Sequence, residues 1–433
     1  MGGIFGVVSQ KNCVEDLYKG TFYLQHRAQK YSGLAISDGE KIYPDTHRGY
    51  LKENFPKSLR DQFKGDAGVG AVASDRQPVS ELSRSGGLVT GFDGNIINHP
   101  DLKNELLKGR ITFSGHHNPE DVSDTSIISK IVSREVNFEK GIEALVEIMR
   151  GDFAVISLAK EGIYAARGWG RKPLILGQKE GSYAVASESN AFVNTKFQIY
   201  RDVEPGEIVL LNHEGIHTIK KLNLSPIKYG TFEWIYTAYP ASVIDGRSVS
   251  EVRKAIGRLL AKRYPVEADI VSPYPNSGRW HAIGYAQESG IPYEEAFIRY
   301  DYSDRSFTQE DQASQYGEAE EKLIIVSSSV KGKRIVMVDD SIVRGTQTLS
   351  KTKELRENGA KEIHERIACM ALMRACLYGK TTKKDEDCIA RRMPVEEIRQ
   401  LLNVNSLGYA TVEDLEAAIG LSKDKLCLEC WGY

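Results

Sequence analysis

Short apolar runs broken by glycines fill the first half of the chain, at residues 4–8, 34–37, 69–73, 88–90, 153–158, 183–186 and 207–211. Runs of this length bounded by turn residues predict strands. Three longer stretches, 13–25, 124–136 and 138–149, repeat their apolar residues at the spacing of a helix face. An α+β sandwich of sheets and helices is the expectation for this half.

The pattern changes near residue 225. Val252, Ile256, Leu259 and Leu260 fall on one face of a helix predicted over 249–262, and strand-like runs follow at 269–275, 332–338 and 362–367. Between the last two, a polar stretch centred on 351–357 predicts a helix running to Asn358, with Gly359 as its C-cap. Two short helices are predicted near the end, 394–402 with Pro394 near its first position and 411–419 capped by Thr411. Strands alternating with helices predict an α/β sheet with helices on both faces. At 433 residues the chain is long for one core, so the two patterns are read as two domains, 1–224 and 225–433.

One strand end carries the candidate chemistry. Residues 333–350 read KRIVMVDDSIVRGTQTLS: a strand, the acidic pair Asp339 and Asp340, then Ser341, Arg344, Gly345, Thr346 and Thr348 opening a helix. The strand delivers two carboxylates to a sheet edge. The loop after it offers hydroxyls, backbone N–H groups, a glycine that lets an anion approach the backbone, and a helix N-terminus of positive partial charge. This is an anion site at the strand ends of an α/β sheet, where such sheets bind ligands.

Composition narrows the partners. A formal net charge of −2 leaves no footprint for nucleic acid, so any phosphate binding has to be local. No apolar run reaches the roughly 18–20 residues of a membrane helix, residues 1–10 lack a signal-peptide pattern, and a cytoplasmic location without membrane partners is the expectation. Six cysteines in so long a chain make no disulfide framework, although Cys427 and Cys430 have the spacing of metal ligands or a redox pair.

The 333–350 stretch resembles the phosphoribosyl pyrophosphate (PRPP) signature of type I phosphoribosyltransferases. In the first half, Gly3-Ile4-Phe5-Gly6, Leu24-Gln25-His26-Arg27, Phe92-Asp93-Gly94-Asn95, Ser123-Asp124-Thr125 and Ala186-Ser187-Glu188-Ser189 are similar to landmarks of the class II glutamine amidotransferase domain. Together they resemble one family over nearly the whole chain, the amidophosphoribosyltransferases that begin purine synthesis. The resemblance implies a class II glutamine amidotransferase-like (Ntn) sandwich followed by an α/β type I phosphoribosyltransferase domain. It also implies that Asp339 and Asp340 hold the ribose hydroxyls, with Mg2+ offsetting the pyrophosphate charge. Ser341, Arg344, Gly345, Thr346, Gln347 and Thr348 would cradle the 5′-phosphate, Gln347 standing where the family commonly has a second threonine.

Several positions depart from the family pattern. Its glutaminase uses an N-terminal cysteine thiolate, an arginine that pairs with the glutamine carboxylate, and an asparagine in the oxyanion hole. Here Gly2, Ala73 and Asp93 stand at those positions, and a carboxylate at 93 should repel an oxyanion. Cys13, the other cysteine of this half, lies in an apolar helical pattern as a core thiol does. His26 and Arg27 serve either the site or the packing beneath it. In the second half, Asn276 replaces the acid that precedes Ser277 in the pyrophosphate loop. Residues 297–308 correspond to a closing loop in which Arg299 and Arg305 keep positive charge while Asp301 and Asp304 oppose it. Cys376, Cys427 and Cys430 match three of the four cysteines that hold an iron–sulfur cluster in one branch of the family, with Gly230 at the fourth position. An iron–sulfur cluster or zinc there requires Cys369 or Cys388 to complete the set.

The expected function is therefore binding of PRPP or a purine nucleotide monophosphate without glutamine hydrolysis. That describes a pseudoenzyme or regulatory subunit, as a homo-oligomer or a hetero-oligomer with an active relative. The alternatives are an enzyme that makes phosphoribosylamine from PRPP and ammonia, and a phosphoribosyltransferase for another acceptor.

Overall fold

A computed structural model of the chain describes residues 2–84, 86–113, 121–300, 323–379, 382 and 384–433. It divides into two compact units. The first comprises residues 1–230 with 241–246 and 377–380, and the second comprises 231–240, 247–376 and 381–433.

The strands of the first unit are β1 (Gly2–Ser9), β2 (Tyr31–Ser37), β3 (Ile42–Arg48), β4 (Ala67–Ala73), β5 (Val79–Ser83), β6 (Gly86–Ile96) and β7 (Gly151–Ala159). They continue with β8 (Gly162–Arg167), β9 (Ile175–Lys179), β10 (Ser182–Ala186), β11 (Gln198–Asp202), β12 (Glu207–Asn212) and β13 (Gly215–Lys221). One sheet runs β11-β9-β10-β1-β4-β2-β3 and the other β13-β12-β8-β7-β6-β5. Ile4, Val8, Val69, Val89, Ile156, Val185 and Val209 form a core of residues drawn from both sheets. Alternate residues of the same strands face outward to helices. Phe5 and Val7 pack with Leu17 of the helix Val14–Phe22. Phe92, Phe153 and Val155 pack with Ile127 and Ile131 of Asp124–Arg134 and with Ile142 and Leu145 of Phe138–Ile148. The order helix, sheet, sheet, helix explains the unbroken apolar runs, because β1 and β4 are buried at every position.

Six strands of this unit went unpredicted: β8 and β9 inside the sheets, β5 at an edge, and the edge strands β3, β11 and β13. The sequences of the last three, IYPDTHR, QIYRD and GIHTIKK, are polar. An edge strand has one ladder to complete and much of its surface in water, so it needs no apolar run.

In the second unit the strands Ile270–Pro273, Arg334–Asp339, Glu362–Ile367 and Ser406–Tyr409 pair in parallel, in chain order. Ser248 caps the helix Val249–Arg263. Thr411 caps Val412–Ile419 through a reciprocal capping box with Asp414. Two boundaries differ from expectation. The helix opened by the loop runs from Thr346 to Glu357, but its C-cap is Asn358, and Gly359 follows one position later with φ 86°. Pro394 is the N-cap of Val395–Leu401 rather than its first residue. A π-helical turn, Glu233–Thr237, was not foreseen. Among the described residues no helix is long and apolar enough to cross a membrane.

The helices Val249–Arg263 and Arg279–Ser289 cross backbone to backbone at two glycines. A Cβ on Gly257 would lie 1.9 Å from the His281 carbonyl oxygen, and one on Gly284 would lie 2.0 Å from that of Lys254. Neither neighbour is a flexible side-chain tip that could swing away. Gly257→Ala is therefore expected to destabilise the protein by about 3 kcal/mol, the upper end of overpacking costs, in urea unfolding. An unchanged unfolding midpoint would mean that the crossing has slack this packing does not show.

Candidate functional site

In the first unit, Gly2, Ala73 and Asp93 converge. Gly2 opens β1 and pairs across the sheet with Ala73 of β4. A Cβ on Gly2 would lie 3.0 Å from the Phe92 carbonyl oxygen, 3.2 Å from that of Val72 and 3.7 Å from the Ala73 Cβ. Asp93, on β6, is fully buried. It accepts the Gly2 N–H on Oδ1 at 2.9 Å and an Arg27 N–H on Oδ2 at 2.8 Å, and the Lys172 Nζ lies 3.9 Å from Oδ1. Arg27 also donates from Nε to the Gly2 carbonyl at 2.9 Å and from its other terminal nitrogen to Glu188 at 2.5 Å. Glu188, buried as well, accepts the Ser242 hydroxyl at 2.9 Å and pairs with His26 Nε2 at 2.9 Å.

This network corrects the picture of Asp93 as a bare repelling charge. Burial alone would raise its pKa, but Lys172 and Arg27 outweigh burial and hold the carboxyl at about 2. The anion is neutralised by buried cations and occupies the space beside Gly2. Arg27 and His26 both belong to this network. Cys13 is buried in the core, and its thiol is pushed up to about 12 by burial and then by Asp66 and Asp16. Such a thiol carries almost no thiolate near neutral pH.

In the second unit, the acidic pair ends the Arg334–Asp339 strand. Asp339 Oδ1 accepts the Asp340 N–H at 2.9 Å and the Ser277 hydroxyl at 3.2 Å, and the Ser341 hydroxyl donates to Asp340 at 2.6 Å. Burial, then the adjacent Asp340 carboxylate, push Asp339 well above the usual carboxylate range. Gly345 takes φ 76° as the N-cap of Thr346–Glu357, a conformation that favours glycine. Thr346 and Gln347 are exposed on that helix start, whereas Thr348 is buried. Arg344, expected to face phosphate, is paired with Asp387 at 3.0 Å. Asn276 is exposed beside Ser277. Arg305, with Asp301 and Asp304, lies outside the described residues.

Sheet register reveals what the sequence reading missed. Ser272, Met337, Glu365 and Leu407 are aligned across the four strands. Two residues further along, on the same face, come Tyr274, Asp339, Ile367 and Tyr409. Glu365 thus stands one row below the acidic pair, fully buried, and accepts the Tyr274 hydroxyl at 2.7 Å. Burial pushes its carboxyl up to about 8, so it is uncharged at neutral pH. Its strand reads EIHERI, polar at four of six positions, so the local sequence did not single this glutamate out. Lys172 and Asp387 carried no local signal either.

Among the described residues the cysteines do not form a ready-made metal centre. None of the six is in a disulfide. Among the described residues, no three His, Cys, Asp or Glu side chains are placed to hold a metal ion. Gly230 offers no side chain, whereas Cys369, Cys376 and Cys427 all lie within electrostatic reach of Cys430.

The buried Glu365 makes a pH prediction with a definite sign. Its folded pKa of about 8 lies above the ordinary 4.5. Between these values the folded state holds a proton that the unfolded state releases, so this residue's contribution to stability falls as pH rises through that window. Glu365→Gln removes the titration. Relative to wild type, the variant should gain stability from pH 5 to pH 8, by up to roughly 1.4 kcal/mol per pH unit in denaturant titrations. A stability difference independent of pH would place the Glu365 carboxyl in water.

This geometry has close counterparts among known proteins. The family described as glutamine amidotransferase domain matches residues 67–194. The amidophosphoribosyltransferase of Methanocaldococcus jannaschii is 35% identical, with 99% of this chain and 96% of that protein covered. That of Bacillus subtilis is 34% identical, covering 99% and 93%. The solved structure of the B. subtilis glutamine PRPP amidotransferase complexed with ADP and GMP matches with a TM-score of 0.91 at 33% identity, over 99% of this chain and 96% of that one. Both halves of the fold are therefore those of that structure, a glutamine amidotransferase sandwich and a phosphoribosyltransferase sheet. With identity of this level along its whole length, the chain belongs to the amidophosphoribosyltransferase family.

Proposed function

We propose that this protein is a divergent member of its family that binds PRPP or a purine nucleotide monophosphate and does not hydrolyse glutamine. It would act in the cytoplasm as a pseudoenzyme, a regulatory or partner subunit in a homo-oligomer or beside an active relative. The observation that carries the reading is Asp93, a buried carboxylate locked to Arg27 and to the Gly2 N–H where glutamine chemistry would need a thiol and an oxyanion donor. Ala73 has no guanidinium with which to fix a substrate carboxylate. The losses concern one catalytic unit, so they do not act as independent factors.

Binding rests on the second unit. Asp339 and Asp340 would accept ribose hydroxyls, and the Gly345 turn, which opens a helix N-terminus, would meet a 5′-phosphate. The B. subtilis relative was solved with ADP and GMP, which supports a nucleotide as ligand here. Mg2+ would enter with PRPP, held by Asp339 and Asp340, and offset pyrophosphate charge.

A second reading is favoured by the contact of Ser277 with Asp339, which keeps the pyrophosphate loop against the acidic pair. In it, the ammonia lone pair attacks C1 of PRPP, the C1–O bond breaks, pyrophosphate leaves and the new amine loses a proton to solvent. Phosphoribosylamine formation from PRPP and ammonia, above a control carrying Asp339→Asn and Asp340→Asn, separates this reading from the first.

Two outcomes are expected. PRPP with Mg2+, AMP or GMP, at a hundred times its dissociation constant, should stabilise the fold by about 2.7 kcal/mol in a thermal shift assay. No shift with any of them at millimolar concentration would sink the binding claim. Glutamate release from glutamine should be absent in the wild type and in Gly2→Cys, whose new Cβ would crowd the Phe92 carbonyl at 3.0 Å. Activity confined to the triple change Gly2→Cys, Ala73→Arg, Asp93→Asn would support all three assignments. Hydrolysis by the unmodified protein overturns the reading.

A further inference from the structure

Glu365 is an unusual occupant for its place. It lies in the interior of a central strand, and a buried carboxyl there costs stability relative to an apolar side chain unless its bonds are satisfied. Its partner, Tyr274, is 91 positions away in sequence. Tyr274 is the residue at which the strand Ile270–Pro273 turns into the loop carrying Asn276 and Ser277.

That tyrosine is held on every side. Its N–H donates to the Val338 carbonyl at 3.0 Å, tying it to the strand that ends in Asp339, and its carbonyl accepts the Gly278 N–H at 2.9 Å, closing the loop. Its ring stacks on Phe297 with centroids 6.0 Å apart. Its hydroxyl is fixed by Glu365. The loop lies against the neighbouring strand so tightly that a Cβ on Gly278 would come 2.1 Å from the Val338 carbonyl oxygen. A small rotation of Tyr274 therefore moves Ser277, whose hydroxyl stands 3.2 Å from Asp339.

We propose that Glu365 and Tyr274 are a positioning pair that sets the 274–278 loop against Asp339 and thereby governs the preference of the site for PRPP over nucleotide monophosphates. The proposal rests on the reading of this site as a PRPP pocket. The loop faces the group on C1, the pyrophosphate, which a monophosphate lacks. The 5′-phosphate is met instead by the turn around Gly345. An uncharged carboxyl suits the role, because it accepts the tyrosine hydroxyl without adding a third negative charge beneath Asp339 and Asp340.

Isothermal titration of PRPP with Mg2+ and of GMP, into the full-length wild type, Tyr274→Phe, Glu365→Leu and Glu365→Gln, tests the pair. Tyr274→Phe and Glu365→Leu should weaken PRPP binding by about five- to thirtyfold, the effect of one broken buried hydrogen bond, and change GMP binding by less than about twofold. Glu365→Gln keeps an acceptor for the tyrosine and should restore PRPP binding to near the wild-type value. Equal losses for both ligands, unchanged PRPP binding in Tyr274→Phe, or failure of Glu365→Gln to restore it would each overturn the pair. Should the wild type bind neither ligand, the PRPP reading of the site falls and the pair falls with it. A wild type that binds both while its variants do not discriminate leaves that reading standing and removes only the pair.

Discussion

A buried guanidinium holds the first unit's polar network together. Arg27 has no exposed side-chain surface and spans two carboxylates with none either, Asp93 and Glu188. Removing such charges from water costs several kcal/mol per ion, and the arrangement persists only because each charge has an opposite neighbour and further hydrogen bonds. Arg27 therefore binds β6, through Asp93, to the turn after β10, through Glu188, and both to the first residue of β1 through the Gly2 carbonyl. Here the polar groups satisfy each other.

The second unit meets the opposite problem, an excess of one sign. Asp339, Asp340 and Glu365 crowd the same sheet edge, and burial works against ionising Asp339 and Glu365. Glu365 stays protonated and spends its acceptor capacity on Tyr274. Asp339 is pushed well up and accepts the Ser277 hydroxyl and the Asp340 N–H. A bound cation would favour the ionised form of these acids. The two units thus differ in kind: one network is closed on itself, the other is left incomplete at a strand end.

Much of this was legible in the residues. The runs at 4–8, 69–73 and 153–158 became buried strands because burial on both faces forces apolar residues at successive positions. Asp339, Asp340 and Gly345 were readable as a site because strand, acids and glycine occur in one contiguous stretch. Ser248 was overlooked as a cap although its neighbour helix was placed well, and the polar edge strands were overlooked because solvent imposes little pattern on them. Arg344 was assigned to phosphate, yet an acid 43 positions away claims it.

By itself, the sequence determined which groups exist: that position 2 has no side chain, that position 73 has no charge, that position 93 has a carboxylate, and that two acids follow a buried strand. Local chemistry is enough for such statements. Only the tertiary structure decided what those groups do, since a carboxylate's behaviour depends on its distance to other charges and to water. Asp93 is an ionised partner held at about 2, and Glu365 is a neutral acid held at about 8. Nothing in either side chain distinguishes these fates. Lys172 and Arg27 stand beside the first and a tyrosine beside the second, and neighbours that far apart along the chain meet only when the sheets form.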